Sequence, residues 1–298
     1  MNFKGHLVDF FVRNAYVVWI RLTQSRVFRK HLHSHLRDAV LPVTADGNVY
    51  LVKHTDGGIG RSLYVEQASE ELPLLRVVFG QLGSLKPSCL IDIGANYGTA
   101  SISALRSGLV QKSIGFEPDP LLAHLAVCNA ILNDLENSFE IRQLALGADC
   151  GKIHLELSDL NSGDNRVRIT NEPGIFGEEI RKTIQVVQST LEDEIDEETM
   201  QQSIVFCDVQ GYEGHVLEGA RTLLDMAVPC VLEFWPYGLA RVDGYGRLRT
   251  ALCSSNYRRV KVLEDAGGFE KLSGAFLDDL SQRLGHGSGY VNLLLLRD

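Results

Sequence analysis

The chain has 298 residues, 45% of them hydrophobic and 22% charged, which is an ordinary globular composition and enough length for one large domain with an extension. Its 29 lysines and arginines stand against 38 aspartates and glutamates, for a formal net charge of -9, so we predict no nucleic-acid partner. The six cysteines are widely spaced and none has a zinc or redox spacing, which predicts reduced thiols and a cytoplasmic location.

The first predicted element is an amphipathic helix over residues 7–22, which is rich in aromatic and apolar residues. It is too short and too charged to span a bilayer, and it lacks the order of segments found in a signal peptide. Three partners for its apolar face stay open: its own domain, a second subunit in a homo-oligomer, or a membrane surface in peripheral contact.

A histidine-rich stretch follows, in which a helix aligns only His31 with His35, because residues two apart lie on different faces. No acid stands between these two histidines. We therefore interpret the stretch as a polar helix end rather than a metal site.

Residues 49–83 combine a short alternating strand, a glycine turn at residues 56–58 and a helix expected from Ser69 to Leu82. We interpret residues 1–83 as an N-terminal extension of helices and a hairpin. Residues 84–298 then form the main domain.

From residue 89 onward, short apolar runs alternate with segments of helical periodicity, as in the crossover units that build a parallel sheet. Five such runs lie at residues 89–93, 113–117, 140–144, 203–208 and 229–234. Two more strand candidates, at residues 258–263 and 290–297, are expected to close the sheet as an antiparallel pair. The pattern predicts a Rossmann-like α/β sheet, mostly parallel with an antiparallel last strand, flanked by helices.

Carboxylates end four of the five runs, and we expect them to share one rim because the carboxyl ends of parallel strands meet at one edge of a sheet. They are Asp92, Glu117, Asp208 and Glu233. Residues 151–188 interrupt the crossover pattern, with two alternating stretches at residues 152–157 and 166–169 around a turn. This predicts an inserted β-hairpin that lies over the crevice.

The segment from Asp92 to Gly98 joins a strand to a helix, which predicts a cofactor loop. A dinucleotide fingerprint needs glycines where Asn96 and Thr99 stand, which disfavours a nicotinamide oxidoreductase. S-adenosylmethionine carries a sulfonium and an ammonium group, so the negative charge of Asp92 favours this cofactor. Glu117 ends the next strand, where it is placed to accept hydrogen bonds from ribose hydroxyls.

Three markers in order resemble those of the FkbM-type methyltransferase family. They are the loop from Asp92 to Gly98, Phe116-Glu117-Pro118-Asp119-Pro120, and Asp208-Val209-Gln210-Gly211-Tyr212-Glu213. The resemblance implies a class I methyltransferase fold, S-adenosylmethionine as cofactor, and O-methylation of a hydroxyl on a small molecule, a glycan or a secondary metabolite. The cofactor-binding residues that it implies here are Asp92, Gly94, Asn96, Gly98, Glu117, Ala145 and Asp208.

The sequence departs from the family pattern at two positions. Phe206 stands where the family has a lysine, and Gln210 where it has an acid. The two changes either remove a buried ion pair together or alter substrate use. The alternative to an active enzyme is therefore a catalytically silent member that binds the cofactor or a partner protein.

Methyl transfer to a hydroxyl also requires a group that accepts the hydroxyl proton. We expect Asp208, Glu213 and His215 to be the catalytic residues, with Asp208 first because it ends a central strand. Glu233 and His154 are further candidates for this base. Asp208 and Glu233 form only a partial oxygen site, so no metal is predicted.

Three aromatic residues on the far rim are expected either to stack on the acceptor or to pack in the core. They are Tyr212, Trp235 and Tyr237.

Overall fold

A hairpin with flanking helices precedes the main sheet in the computed structural model, which describes residues 25–33 and 40–297. These elements are α1 (Arg26–His33), β1 (Val40–Ala45), β2 (Asn48–Lys53), α2 (Ile59–Glu66) and α3 (Glu71–Gln81). The helix predicted over residues 7–22 and the side chains of His31 and His35 lie outside the described residues. Of the helices that are described, none is long and apolar enough to cross a bilayer.

The hairpin packs against helices that follow it in the chain. Tyr50 is fully buried in a hydrophobic cluster that also contains Tyr97 and Phe139. Asn129 fastens the second strand of the hairpin, because its Oδ1 accepts a hydrogen bond from the amide of Leu51 at 2.6 Å. The division of the chain at residue 83 stays a prediction.

Alternating strands and helices build the rest of the chain. The strands are β3 (Cys89–Ile93), β4 (Lys112–Phe116), β5 (Phe139–Arg142), β6 (Ala145–Leu146), β7 (Gly151–Leu157), β8 (Arg166–Val167), β9 (Lys182–Ser189), β10 (Ser203–Cys207), β11 (Cys230–Phe234), β12 (Arg259–Val262), β13 (Glu270–Lys271) and β14 (Val291–Leu296). The helices are α4 (Thr99–Arg106), α5 (Pro120–Leu132), α6 (Leu191–Glu194), α7 (Glu197–Gln201), α8 (Glu213–Glu218), α9 (Arg221–Met226), α10 (Pro236–Arg241), α11 (Tyr245–Ser254) and α12 (Gly274–Leu284).

The central sheet of the described residues has eight strands in the order β13-β12-β14-β11-β10-β3-β4-β5. Strands β5, β4, β3, β10 and β11 run parallel, and β14 pairs antiparallel with β11 and β12. Every residue of β3, β10 and β11 is buried, as expected for parallel strands with helices on both faces. The predicted Rossmann-like fold with an antiparallel last strand is therefore confirmed.

The inserted segment forms a second sheet, with the order β6-β9-β7-β8 within the described chain. Strand β7 pairs antiparallel with β9 along its whole length, and with β8 at only two residue pairs. The inserted β-structure is thus present, but the prediction of residues 166–169 as the main partner of β7 is wrong, because that partner is β9. Beyond β8, the amide of Arg168 still donates to the carbonyl of His154 at 2.8 Å, and the side chains of Arg166 and Arg168 form ion pairs with carboxylates of the insertion.

Candidate active site

The loop after β3 is held against the ends of two neighbouring strands. The amides of Gly94 and Ala95 donate to the carbonyl of Phe116, at 2.9 and 3.0 Å. Gly94 has a φ of +92°, and a Cβ at this position would collide with the backbone oxygen of Asp208. Glycine is required here because both the backbone angle and the available space exclude a side chain.

A cavity opens beside this loop, at the carboxyl ends of the parallel strands. The predicted cofactor-binding residues that line it are Asp92, Gly94, Asn96, Glu117, Ala145 and Asp208. Gly98 does not line the cavity. It precedes α4 with a φ of +78°, and a Cβ there would lie 2.6 Å from Cε1 of Phe139. Gly98 is therefore needed for the conformation of the loop.

Two buried acids lie at the inner wall of the cavity. The Oδ2 of Asp92 accepts a hydrogen bond from the Ser101 hydroxyl at 2.5 Å, and burial raises the pKa of Asp92 to about 6. Glu117 accepts hydrogen bonds from the amides of Asn96 and Asp119, at 2.9 and 2.8 Å, and burial raises its pKa to about 8. Each Glu117 oxygen keeps a lone pair that can accept from a ligand hydroxyl.

The inserted segment supplies the outer wall of the cavity through Ser162, Asn165, Arg166 and Val167. Its anchor is Asp56, which is 1% exposed. The Asp56 carboxylate accepts hydrogen bonds from the hydroxyls of Tyr97, at 2.9 Å, and Ser162. We call Asp56, Tyr97 and Ser162 the Asp56 junction, because one carboxylate ties the N-terminal segment, the cofactor loop and the insertion together.

A buried arginine fixes the other side of the insertion. Arg166 is 2% exposed and forms ion pairs with Asp164 and Glu178. Its guanidinium carbon lies 4.7 Å from the centroid of the Trp235 ring, and the Tyr237 hydroxyl donates to Glu178 at 2.6 Å. Trp235 and Tyr237 therefore hold the insertion through its buried charges.

A wider outer cleft adjoins the cavity. Asp208, Gln210 and Asn292 line both spaces, so the two are continuous. Three aromatic side chains line the outer cleft alone: Phe176, Trp235 and Tyr290.

Three carboxylates meet where the cavity joins the outer cleft. Asp208, Glu213 and Glu233 each bring one oxygen to within 4.8 Å of the others, an arrangement that suits a cation and that was found at this place alone among the described residues. The Gln210 side-chain amide donates to Asp208 at 2.8 Å and to Glu233 at 2.9 Å. Asp208 is open to the cleft, yet the surrounding protein raises its pKa and that of Glu233. Gln210 therefore bridges two acids that would otherwise repel each other.

Two predicted catalytic candidates lie away from both spaces. His215 stacks on Tyr212, with ring centroids 4.2 Å apart, and its Nε2 lies 2.8 Å from the carbonyl oxygen of Val242. His154 is exposed on β7. Neither histidine lines the cavity or the outer cleft, so the catalytic role of His215 stays a prediction without a contact to support it.

The sequence did not reveal several residues that shape the site. Asp56 looked like the first residue of an ordinary glycine turn, although it is the anchor of the insertion. Glu71 and Asn292 line the cavity from a helix and from the last strand, with no motif around either. The sequence pointed only to the insertion, whose polar turn at residues 161–165 contains Ser162 and Asn165. Both side chains line the cavity.

The solved structures that are similar to this chain include the following three. A Streptococcus pneumoniae protein described as a candidate tRNA (m1A22) methyltransferase, in complex with S-adenosyl-L-methionine, has a TM-score of 0.40 and 15% identity over 75% of this chain and 72% of its own. The M. jannaschii tRNA m1G37 methyltransferase has a TM-score of 0.41 and 12% identity over 87% and 54%. TYW2 of P. horikoshii, in complex with MeSAdo, has a TM-score of 0.41 and 13% identity over 88% and 73%. Likeness at this level carries no argument about the acceptor.

No protein of curated function matches the sequence significantly. The methyltransferase FkbM domain, by contrast, matches residues 92–259, which is more than half of the chain. The match contains the cofactor loop, Glu117 and the three carboxylates that meet beside the cavity. The chain therefore belongs to the FkbM family of methyltransferases, and this membership supports S-adenosylmethionine as its cofactor.

Proposed function

We propose that the protein transfers the methyl group of S-adenosylmethionine to a hydroxyl oxygen of a glycan or secondary metabolite. The observation that carries this proposal is the position of Asp208, which lines both the cavity and the outer cleft. A side chain in that place reaches a donor in one space and an acceptor in the other. Methyl transfer needs this alignment more than any other contribution from the protein.

The inner wall of the cavity suits the proposed donor. Asp92 supplies negative charge for a cationic cofactor, and the free lone pairs of Glu117 suit the two hydroxyls of a ribose. Bound there, S-adenosylmethionine supplies a methyl group already activated by its sulfonium. The Asp56 junction and Arg166 hold the outer wall in place, which excludes water from the reacting atoms.

Asp208 is the proposed base on the acceptor side. Gln210 donates to its Oδ1 and Glu233 shares a hydrogen bond with the same carboxyl group, and the carboxylate accepts the proton of the acceptor hydroxyl as the hydroxyl oxygen takes the methyl group. The raised pKa of Asp208 suits this role, because a stronger base removes the proton more readily near neutral pH. Glu233 contacts Asp208 by a side-chain hydrogen bond, and one oxygen of Glu213 lies within 4.8 Å of both, so these two acids are placed to position Asp208.

A nucleic-acid acceptor is disfavoured by charge. The chain carries a formal net charge of -9, and carboxylates line the outer cleft. Phosphate groups would be repelled by both. The proposed acceptor is therefore a hydroxyl compound without a phosphate backbone.

The test combines calorimetry with a methyl-transfer assay on a broad panel of hydroxyl compounds. We expect Asp92→Asn to weaken binding of S-adenosylhomocysteine by about tenfold or more, because it removes the charge facing a cationic amino acid group. We expect Asp208→Asn to bind this product within a few fold of the unmodified chain and to lower kcat by about 100-fold or more. Asp225→Asn changes an exposed acid outside both spaces and is the matched control.

Two results would contradict the proposal. The first is a chain that fails to bind S-adenosylhomocysteine. The second is an Asp208→Asn variant that methylates a hydroxyl at the unmodified rate. Tight cofactor binding with no turnover on any hydroxyl would instead favour the catalytically silent alternative, which was motivated by the departures from the family pattern at Phe206 and Gln210.

A further inference from the structure

The outer cleft carries an excess of negative charge. Seven carboxyl groups and one guanidinium line it among the described residues. Glu66 is neutralised by Arg26, and Asp164 by Arg166 and Arg181. Within the described chain, no ion pair with arginine or lysine engages the other five, which are Glu70, Glu71, Asp208, Glu233 and Glu264.

The charges of these acids converge on Tyr290, whose side chain is 52% exposed at the cleft. Burial raises the pKa of the Tyr290 hydroxyl, and four carboxylates raise it further. These are Glu233, Asp208, Glu70 and Glu264. All four act in the same direction, and Glu70 and Glu264 are themselves exposed at this cleft.

Glu213 lies behind the cleft and is fully buried. The Oε2 of Glu213 is buried and has no hydrogen-bond partner among the described residues. One carboxyl oxygen each from Asp208, Glu213 and Glu233 lie within 4.8 Å of one another. A buried carboxyl oxygen without a partner is costly. The unpartnered oxygen of Glu213 therefore favours a ligand that brings hydrogen-bond donors or positive charge to the three carboxyl groups, and an ammonium group brings both.

Aromatic rings at the same cleft suit such a ligand. Phe176 is 38% exposed and Tyr290 is 52% exposed, so both side chains offer apolar surface to a ligand. Aromatic faces pack against the apolar face of a sugar ring, and their negative quadrupole also attracts an ammonium group.

We propose that the outer cleft binds an acceptor that carries an ammonium group as well as hydroxyls, as an amino sugar does. The hydroxyl to be methylated lies at Asp208, and the ammonium group lies among Glu70, Glu233 and Glu264 beside Tyr290. This inference rests on the proposed function and names the substrate class of the same site. Acceptors that carry a carboxylate or a phosphate are excluded by the charge that attracts the ammonium group.

The test measures binding of three methyl glycosides to the protein saturated with S-adenosylhomocysteine, by calorimetry in the presence of EDTA. The three share one ring and carry a hydroxyl, an ammonium or a carboxylate group. We expect the 2-amino-2-deoxyglucoside to bind about tenfold more tightly than the glucoside, and the glucuronide to bind more weakly than both. The preference should shrink as sodium chloride rises from about 20 mM to about 500 mM.

Substitutions of acids in the outer cleft test whether these acids cause the preference for the ammonium glycoside. Glu264→Gln and Glu70→Gln change exposed acids, and each should reduce the preference for the ammonium glycoside by about threefold. Glu136→Gln, an exposed acid outside the cleft, should leave the preference unchanged. The N-acetylated glycoside, which keeps the nitrogen and loses the charge, should bind no better than the glucoside.

Equal binding of the ammonium and hydroxyl glycosides, including no binding of either, overturns the inference, as does tighter binding of the glucuronide. Turnover is measured separately with S-adenosylmethionine. An ammonium preference without methyl transfer would remove the proposed function and leave the binding class in place. Hydroxyl methylation without an ammonium preference would remove only the inference.

Discussion

Gly94 in the cofactor loop lets the backbone after β3 approach the backbone after β10 closely. Gly94 has a φ of +92° and lies directly against the backbone oxygen of Asp208. Gly108 has a comparable φ of +66°, with nothing within 4 Å of its ideal Cβ position. Substitution of Gly108 by alanine therefore tests the effect of the backbone angle alone. Substitution of Gly94 tests the angle together with the steric collision.

We expect Gly94→Ala to weaken binding of S-adenosylhomocysteine by about tenfold or more, because the added Cβ must push Asp208 or the loop away from the cavity. Gly108→Ala should cost about 1 kcal/mol of unfolding free energy through its backbone angle alone and leave this affinity unchanged. Calorimetry and urea unfolding measure the two effects. Unaltered binding by Gly94→Ala would mean that the loop does not depend on this close approach.

The local sequence predicted the acids at the ends of strands, but it did not predict Asp56, the acid that anchors the insertion. Asp92 and Glu117 were recognisable because each ends an apolar run. Asp56 was not, because its partners Tyr97 and Ser162 are distant in sequence and no local pattern encodes them. The cofactor-binding role of the first two stays a prediction that calorimetry must test.

Among the elements, the insertion depends most on contacts to other parts of the chain. Its sheet is fastened at one end by the Asp56 junction and at the other by the ion pairs of Arg166. Both fastenings are buried, and they add polar contacts to the hydrophobic packing that Val167 and Leu155 make. Loss of one hydrogen bond should therefore loosen this wall while the central sheet stays folded.

We expect Ser162→Ala to increase amide hydrogen exchange in residues 158–168 and to weaken binding of S-adenosylhomocysteine by about threefold to tenfold. The reason is that removal of one hydrogen bond to a buried carboxylate costs about 1 to 3 kcal/mol. Ser254→Ala removes an exposed hydroxyl on α11 and serves as the control. Exchange in the insertion that matches the unmodified chain would show that the junction does not hold this wall.

The hairpin of the insertion also shows the limit of local reasoning about elements. Alternation predicted strands at residues 152–157 and 166–169, and both contain strand residues. The main partner of β7 is β9, which starts 25 residues after β7 ends and lies beyond a charged loop. Local alternation identifies a strand but does not identify its partner when several segments compete for it.

Across the whole molecule, three buried carboxyl groups link folding to pH. Burial raises the pKa of Asp92 from 3.8 to about 6, and those of Glu117 and Glu213 from 4.5 to about 8. A raised pKa in the folded state means that the protonated acid stabilises the fold. This contribution is complete below the unfolded pKa and is lost as pH rises through the folded value.

We therefore expect the Tm of the ligand-free protein to fall between about pH 4 and about pH 8. Glu117→Gln should flatten this slope because glutamine does not ionise, whereas Glu136→Gln, at an exposed position, should leave it unchanged. Thermal unfolding at constant ionic strength measures the slope. A Tm that rises across this range would contradict the account of these buried acids.

The architecture of the whole molecule was the most predictable property of the chain. Strands such as β3 and β10 are buried on both faces and appear in the sequence as continuous apolar runs between helical segments, so each is visible locally. The acids at their ends then follow from the geometry of a parallel sheet. The outer cleft was not predictable, because its lining comes from segments between residues 57 and 292 that no local pattern connects.

The Asp56 junction also bears on how the chain folds. The hydrogen bond from Ser162 to Asp56 joins residues 106 positions apart, and such non-local contacts form only after a large loss of chain entropy. The pairing of β3 with β10 in the central sheet is as distant, because Cys89 lies opposite Ser203. The middle of the sheet and the outer wall of the cavity therefore both wait for contacts between the first and second halves of the chain. A chain still being synthesised lacks the wall that its cofactor requires until its second half has been made.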